Sequence, residues 1–269
     1  MTREQVYGRR SVREALRGSN REVLEVWATE RAVKTESWLR ELKQPRVQVK
    51  LERELAEAVG TRDHQGVLAW CEPYRYADAY ELAAGERPLL ACLDQVSDPR
   101  NLGAVCRSAE GAGASGVVVP AHGSARVTPV VCRASAGAVE HLPVAVVTNL
   151  ARYLGEIKSG SLWVAGATGE AKTSMWEADL SGSLAFVFGA EGKGLRPLVR
   201  RSAASRSMSV SAFSAQRTSS WPWRSSGPCP SNTSTPRAPL AATQLASRSR
   251  SSSGERNAPA CRRLKPSKR

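Results

Sequence analysis

Two stretches of this 269-residue chain bring polar side chains and glycines together in a way that could do chemistry. The first is DQVSDPRNLGAVCRSAEGAG, residues 94–113. An apolar run reaching Val96 reads as a strand, a polar turn follows, and a helix is expected from Asn101, a residue type that caps helix N-termini well. Arg107 lies six residues further on, too far from the first turn to serve as a cap. An arginine in a helix is ordinarily a solvated surface residue. This one sits among Ala104, Val105, Ser108 and Ala109, on a face that reads as close-packing, and a bulky cation there needs a reason. The second stretch is FVFGAEGKGL, residues 186–195, with Gly189, Gly192 and Gly194 after an apolar strand. Glycine lets the backbone come close to a ligand, and Glu191 could cap amides or position a partner. A structural turn is the plain alternative. The loop is neither a Walker A motif, because Gly-Lys-Gly replaces Gly-Lys-[Ser/Thr], nor G-x-G-x-x-G. His64, His122 and His141 have no metal-ligand spacing and read as ordinary polar residues, and no Ser-His-Asp arrangement is visible. The six cysteines are scattered without a C-x-x-C pair, which suggests neither a zinc site nor a disulfide framework and fits a reducing cytoplasm.

The elements that must position these stretches change character along the chain. Residues 1–75 read as a small α/β unit: VREALRG and LERELAEAV have helical periodicity, while VLEVWAT, RVQVKL and HQGVLAW read as strands. Residues 76–87 read as a linker. From Pro88 to about Ser202, short continuous apolar runs alternate with helical segments, the signature of a parallel sheet covered on both faces. In such sheets ligands sit at the carboxyl ends of the strands. Two of those ends are glycine-rich, WVAGATGEAK (163–172) and FVFGAEGKGL (186–195). Residues 203–269 are rich in Ser, Arg, Pro and Thr and show no periodicity.

A net charge of +14 invites a nucleic-acid reading. Its distribution matters, because residues 1–200 carry 26 basic and 24 acidic residues, whereas residues 201–269 carry 13 basic residues and the single acid Glu255. The basic excess therefore belongs to the tail. No run of about 18 apolar residues reads as a membrane span, and the start MTREQVYGRR lacks the apolar core of a signal peptide.

Taken together, NLGAVCRSAEGAGASGVVV and FGAEGKGLRPLV closely resemble the first two motifs of the SpoU family of RNA ribose 2′-O-methyltransferases, within the knotted SPOUT superfamily. The family forms are Asn-hydrophobic-Gly-Ala-…-Arg-[Ser/Thr]-Ala and Gly-x-Glu-Gly-x-Gly. The segment YGRRSVREAL with the later HQGVLA resembles the family's small RNA-binding domain, and the likeness spans about residues 6–202. That N-terminal domain favours the branch acting on a guanosine of large-subunit ribosomal RNA over the tRNA branch.

The resemblance implies a knotted parallel α/β sheet, S-adenosylmethionine bound at the knot loops, and a homodimer. It implies in-line attack of a ribose 2′-oxygen on the sulfonium methyl, a step that needs positioning and deprotonation more than covalent help. It places Arg107 at the attacking hydroxyl, with Asn101 and Glu191 orienting it and the RNA. A neutral arginine is not available at ordinary pH, so the reading preferred for Arg107 is electrostatic stabilisation of the developing oxyanion, with phosphate or solvent taking the proton. Gly189, Gly192, Gly194 and Leu195, with the turn Ala167, Thr168 and Gly169, would contact the cofactor; no metal is implied. The competing readings are a non-catalytic RNA-binding protein with a degenerate second domain, and a nucleotide-binding α/β enzyme unrelated to RNA. The last explains the glycine turn but neither NLGAVCRSA nor the N-terminal domain.

The family's third motif, near Ile-Pro-…-Ser-Leu-Asn-Val-[Ala/Ser]-Val-Ala, should fall where this chain reads FSAQRTSSWPWRSSGPCP (213–230), and no Ser-Leu-Asn is present there. With a CGN arginine codon, Trp221-Pro222-Trp223-Arg224 read one base earlier encodes X-Ala-X-Ala, with X drawn from Leu, Met or Val. This is the family pattern, and it points to a frameshift between about Arg200 and Ser220. The rival is a genuine disordered basic tail. Sequencing the source DNA across this region is expected to reveal a single-base correction that restores Ser-Leu-Asn-Val; an intact frame with no family-like alternative would sink the frameshift.

Overall fold

The computed structural model describes residues 3–158, 162–169, 171, 177–203 and 206–208. All lie in the first of two units, Met1–Ser220; the second, Trp221–Arg269, falls outside the described residues.

The N-terminal unit runs β1 (Glu4–Tyr7), α1 (Arg9–Arg17), β2 (Val23–Ala28), α2 (Glu30–Thr35), α3 (Ser37–Glu41), β3 (Val47–Val49), α4 (Glu52–Val59) and β4 (Val67–Cys71). Its sheet has the order β1-β4-β2-β3, with β4 antiparallel to both neighbours and β2 parallel to β3. Side chains alternate across a pleated strand, so Val6, Val26, Ala28, Val67 and Ala69 enter one buried cluster. Tyr7 and Leu68 enter another, under Leu55 of α4.

Residues 76–87, read above as a linker, carry α5 (Ala79–Ala83), capped by Asp78, whose carboxylate accepts the Tyr80 and Glu81 amides. The remainder runs β5 (Leu89–Asp94), α6 (Pro99–Gly111), β6 (Gly116–Pro120), α7 (Pro129–Ala134), a 3-10 turn (Ala138–Glu140), β7 (Val144–Val147), α8 (Leu150–Ile157), β8 (Leu162–Ala167), β9 (Ser183–Gly189), α9 (Pro197–Ser202) and β10 (Arg206–Met208). Tyr153 of α8 donates its hydroxyl to the Ala79 carbonyl at 2.7 Å, and Ala77 bridges Ala145, so α5 is pinned to this second unit.

The six strands form one parallel sheet in the order β10-β8-β9-β5-β6-β7. Ala91, Leu93, Val117, Val119 and Val144 pack against α6 and α7 through Leu102, Cys106, Val131 and Cys132. The alternate residues Leu90, Cys92, Val118, Ala145, Ala185 and Val187 pack against α8 and α9 through Leu150, Tyr153, Leu154 and Val199. Each fully buried Leu or Val contributes about 1.5–3 kcal/mol of burial free energy.

Three sequence expectations change. The strand expected to reach Val96 ends at Asp94, because Gln95 takes φ 59 and leaves the ladder. The helix expected from Asn101 begins at Pro99. Asp98 is its cap, accepting the Arg100 amide at 2.8 Å, and a proline at the first helical position needs no N–H partner. The sheet also takes a strand beyond Ser202, since β10 pairs with Ala165, Gly166 and Ala167 of β8. The knot, the third-motif region and the disordered-tail reading, which concern residues after Met208, lie outside the described residues. Among the described residues no helix is long and apolar enough to cross a membrane.

The two units are joined by a buried ion pair. The side chains of Arg21 and Glu140 are each 1% exposed, and the guanidinium donates through Nε at 3.1 Å and Nη2 at 2.5 Å to the two carboxylate oxygens. Arg21 Nη1 also donates to Glu4 at 3.0 Å, and the Tyr74 ring lies 5.4 Å from its centre. Ser11 Oγ donates to the Cys132 carbonyl at 3.0 Å and Tyr74 Oη to the Val139 carbonyl at 3.1 Å. Removing one partner of such a pair strands a buried charge. Arg21→Ala is therefore expected to lower unfolding stability by about 3–5 kcal/mol, and the double change Arg21→Met with Glu140→Leu by less. Urea titration of the three proteins checks this order.

Candidate functional site

The site is built where β5, β8 and β9 end side by side. Asp94 stands opposite Gly189, and Gly166 opposite Val187, so the two glycine-rich strand ends are neighbours. After Gly189 the chain turns sharply: the Gly194 amide donates to the Ala190 carbonyl at 2.9 Å, with Gly192 at φ 76 and Gly194 at φ 65. A Cβ on Gly189 would lie 2.1 Å from the Gly194 carbonyl carbon and 2.5 Å from the Leu195 nitrogen. The returning loop occupies the space of the missing side chain, which is why only glycine fits there. Leu195 packs into the core beneath, against Gly166.

The exit of this loop is held by a residue that the sequence reading missed. Asp94 is fully buried and accepts the Arg196 amide at 2.8 Å and Arg196 Nε at 2.7 Å. Its signal was present as an aspartate closing the apolar run LLACLD, followed much later by an arginine just after the glycines.

Asn101, Gly189 and Glu191 line one cleft of about 530 Å³, together with Ser97, Phe188 and Lys193. Asn101 Nδ2 donates to Glu191 Oε2 at 3.4 Å. Ala167, Thr168 and Gly169 lie at the end of β8. Gly169, Gly192 and Gly194 have no atom within 4 Å of where a Cβ would stand, which leaves their backbones open to a ligand.

Arg107 is elsewhere. A helix turns roughly 100° per residue, so six residues put Arg107 about 120° round α6 from Asn101. It is exposed and lines a second cleft of about 560 Å³ with Arg9, Arg10, Arg13, Trp38 and Arg133. The small face expected around it is real, but Ala104 and Ser108 line an apolar groove with Phe186 and Phe188. The structure thus brings Asn101 and Glu191 together and sets Arg107 apart from them within one chain.

The histidines are used structurally. His64 is buried, and its Nδ1 accepts the Gly66 amide at 3.0 Å, holding the turn at Gln65, whose φ is 55. His141 Nε2 lies 2.9 Å from Glu14. Burial pushes the thiols of Cys92, Cys106 and Cys132 up to about 12, so they stay protonated at neutral pH. Among the described residues no three His, Cys, Asp or Glu side chains are placed to hold a metal.

Removing the Asp94 clamp deletes two charge-assisted hydrogen bonds, worth about 1.5–3 kcal/mol each. Asp94→Ala is expected to open the loop and speed tryptic cleavage after Lys193 at least tenfold. Gly189→Ala should do the same by displacing the 194–195 backbone, with cleavage followed by mass spectrometry.

Comparison with known proteins agrees with this geometry. Residues 88–213 match the SpoU rRNA Methylase family, and residues 5–77 match the RNA 2′-O ribose methyltransferase substrate binding family. The chain is 39% identical over 205 residues to the 23S rRNA (guanosine-2′-O-)-methyltransferase RlmB of Pseudomonas putida, covering 73% of this chain and 83% of that protein. It is 38% identical over 205 residues to RlmB of Pseudomonas syringae, covering 73% and 82%. The crystal structure of the SpoU methyltransferase AviRb from Streptomyces viridochromogenes, in complex with the cofactor AdoMet, superposes with a TM-score of 0.65 over 77% of this chain and 80% of its own. At 20% identity, that superposition shows a shared fold. With both of its units matched in order, and relatives at this identity over most of their length, this chain belongs to the SpoU rRNA methylase family.

Proposed function

We propose that this protein methylates the ribose 2′-oxygen of a guanosine in 23S ribosomal RNA, with S-adenosylmethionine as donor. The observation that carries the reading is the meeting of the Asn101–Glu191 pair with the two glycine-rich strand ends at one edge of the parallel sheet. The names of the RlmB relatives support the substrate, and the AdoMet complex of AviRb supports the donor.

The described residues fit such a donor. Gly169, Gly192 and Gly194 leave open backbone beside Ala167, Thr168 and Leu195, and the Gly189 turn fixes that backbone before any ligand arrives. S-adenosylmethionine supplies an electrophilic sulfonium methyl group when bound. Asn101 offers an amide donor and Glu191 a carboxylate acceptor, suited to orienting a ribose hydroxyl and a base edge. Arg107 keeps its charge and stabilises negative charge growing on the 2′-oxygen, while phosphate or solvent accepts the proton. Because Arg107 lies in a different cleft from Asn101 and Glu191, its meeting with the reacting atoms is assigned to a homodimer, the RNA crossing from one copy to the other. The apolar groove of Leu89, Val105, Phe186 and Phe188 supports a covering helix or second copy on that face. A cytoplasmic enzyme fits this substrate.

A second reading has its own support. The family match ends at residue 213, and no Ser-Leu-Asn follows, so a chain that truly ends in the Ser/Arg-rich tail lacks part of the donor site and acts as an RNA-binding protein only. Incubation with unmodified 23S rRNA and S-adenosylmethionine, followed by nuclease digestion and mass spectrometry, is expected to yield 2′-O-methylguanosine. Arg107→Ala should lower that rate about 10²–10³-fold with donor affinity unchanged. Calorimetry showing no donor binding would favour the second reading.

A further inference from the structure

The second cleft is a built site rather than a solvated charge cluster. We infer that the groove between α1 and the α6–α7 pair is a phosphodiester subsite, seating RNA that flanks the nucleotide being modified. The inference rests on the RNA reading given under Proposed function, and it assigns residues that the reaction itself does not use.

Five arginines face this groove: Arg9, Arg10 and Arg13 from the N-terminal unit, and Arg107 and Arg133 from the sheet unit. The one carboxylate among the lining residues, Glu36, is already engaged: it pairs with Arg9 at 2.9 Å and accepts from Trp38 Nε1 at 2.9 Å. Arg9 is further held by Gln65, whose side chain accepts its amide and whose carbonyl accepts its Nε, both at 3.2 Å. Arg10, Arg13, Arg107 and Arg133 have no acidic partner among the described residues. Arg17, Arg21, Arg75, Arg152 and Arg196 each have one. Arg10 and Arg13 stand at i and i+3 on α1, where like charges repel by a few tenths of a kcal/mol unless an anion lies between them.

Arg133 gives an independent pointer. Its Nε is buried and makes no hydrogen bond among the described residues. Its stem passes under Gly8, where a Cβ would lie 2.8 Å from Cδ and 3.0 Å from Nε. Gly8, at φ 93, thus lets an arginine of the sheet unit reach the groove beside those of α1. A guanidinium held this way, with four others and only one, already paired, carboxylate, matches the doubly bonded recognition of phosphate oxygens. Trp38 adds an aromatic surface to the same wall, which suits a single strand. Both units form the groove, so the Arg21–Glu140 joint sets its width.

The test uses the full chain and a fluorescein-labelled, 24-nucleotide single-stranded RNA of mixed sequence, titrated by anisotropy between about 50 and 200 mM salt. Arg10→Gln with Arg13→Gln is expected to weaken binding at least tenfold. It should also reduce the slope of log K against log salt by about 1.4–1.8, since each lost phosphate contact removes about 0.7–0.9. Adding Arg133→Gln should deepen both effects. The control is Arg53→Gln with Arg62→Gln, both exposed and outside either cleft, which removes the same charge and should change binding less than twofold. Equal losses from the two pairs would mean bulk charge alone, and would overturn the subsite; so would an unchanged affinity and slope in Arg10→Gln with Arg13→Gln. If the expected pattern appears in a chain that transfers no methyl group, the subsite stands and the methyltransferase reading falls. If transfer to 23S rRNA keeps its kcat/KM in Arg10→Gln with Arg13→Gln, the subsite falls and the methyltransferase reading stands.

Discussion

Strand β9 is the constraint on which the site depends. It comes late in the chain yet pairs on both sides, with β5 along Leu184 to Gly189 and with β8 along Ser183 to Val187. Every backbone N–H and C=O of a buried strand needs a partner, so β9 has to fill this slot in register. A slip of one residue would turn Leu184, Phe186 and Phe188 to the face now occupied by Ala185 and Val187. Held in register, β9 delivers Gly189 opposite Asp94, and the glycine turn lands between the ends of its two neighbours.

The turn is then fixed by close approach and by charge. At Gly189 the returning backbone fills the side-chain position. At the exit, the buried carboxylate of Asp94 accepts both the Arg196 amide and its guanidinium. Buried charge is tolerated when its lone pairs are used, and here their use ties the start of α9 to the end of β5. Glu191 is thereby held over the first turn of α6, within reach of Asn101.

Helix α6 divides the chemistry. One flank carries Asn101 toward the glycine turn, and another carries Arg107 toward the arginines of α1 and α7. The N-terminal unit is positioned by Arg21, whose desolvated guanidinium has its pKa raised by the Glu140 bond against the opposing effect of burial. Glu14, Ser11 and Tyr74 add contacts around that joint. A substrate-binding unit docked this firmly turns two separate basic surfaces into one groove.

The sequence by itself determined the parallel sheet, since apolar runs such as GVVVP and LPVAVV can only be buried on both faces, and it determined the small α/β unit in front. It marked Asn101, Arg107, Glu191 and the glycines, because motif residues sit close together along the chain. It misplaced local boundaries where the governing feature was a single backbone angle or cap: Gln95 at φ 59 ended β5 early, and Asp98 with Pro99 started α6 early. Tertiary structure alone decided what depends on distant residues meeting. The Asp94–Arg196 clamp joins residues 102 apart in sequence, and the Arg21–Glu140 joint residues 119 apart. Gly8 makes room for Arg133, and the separation of Arg107 from Asn101 follows from the pitch of α6 against two different neighbours. Sequence pattern carries periodicity and residue type; which side chains share a cleft is set by how the periodic pieces pack.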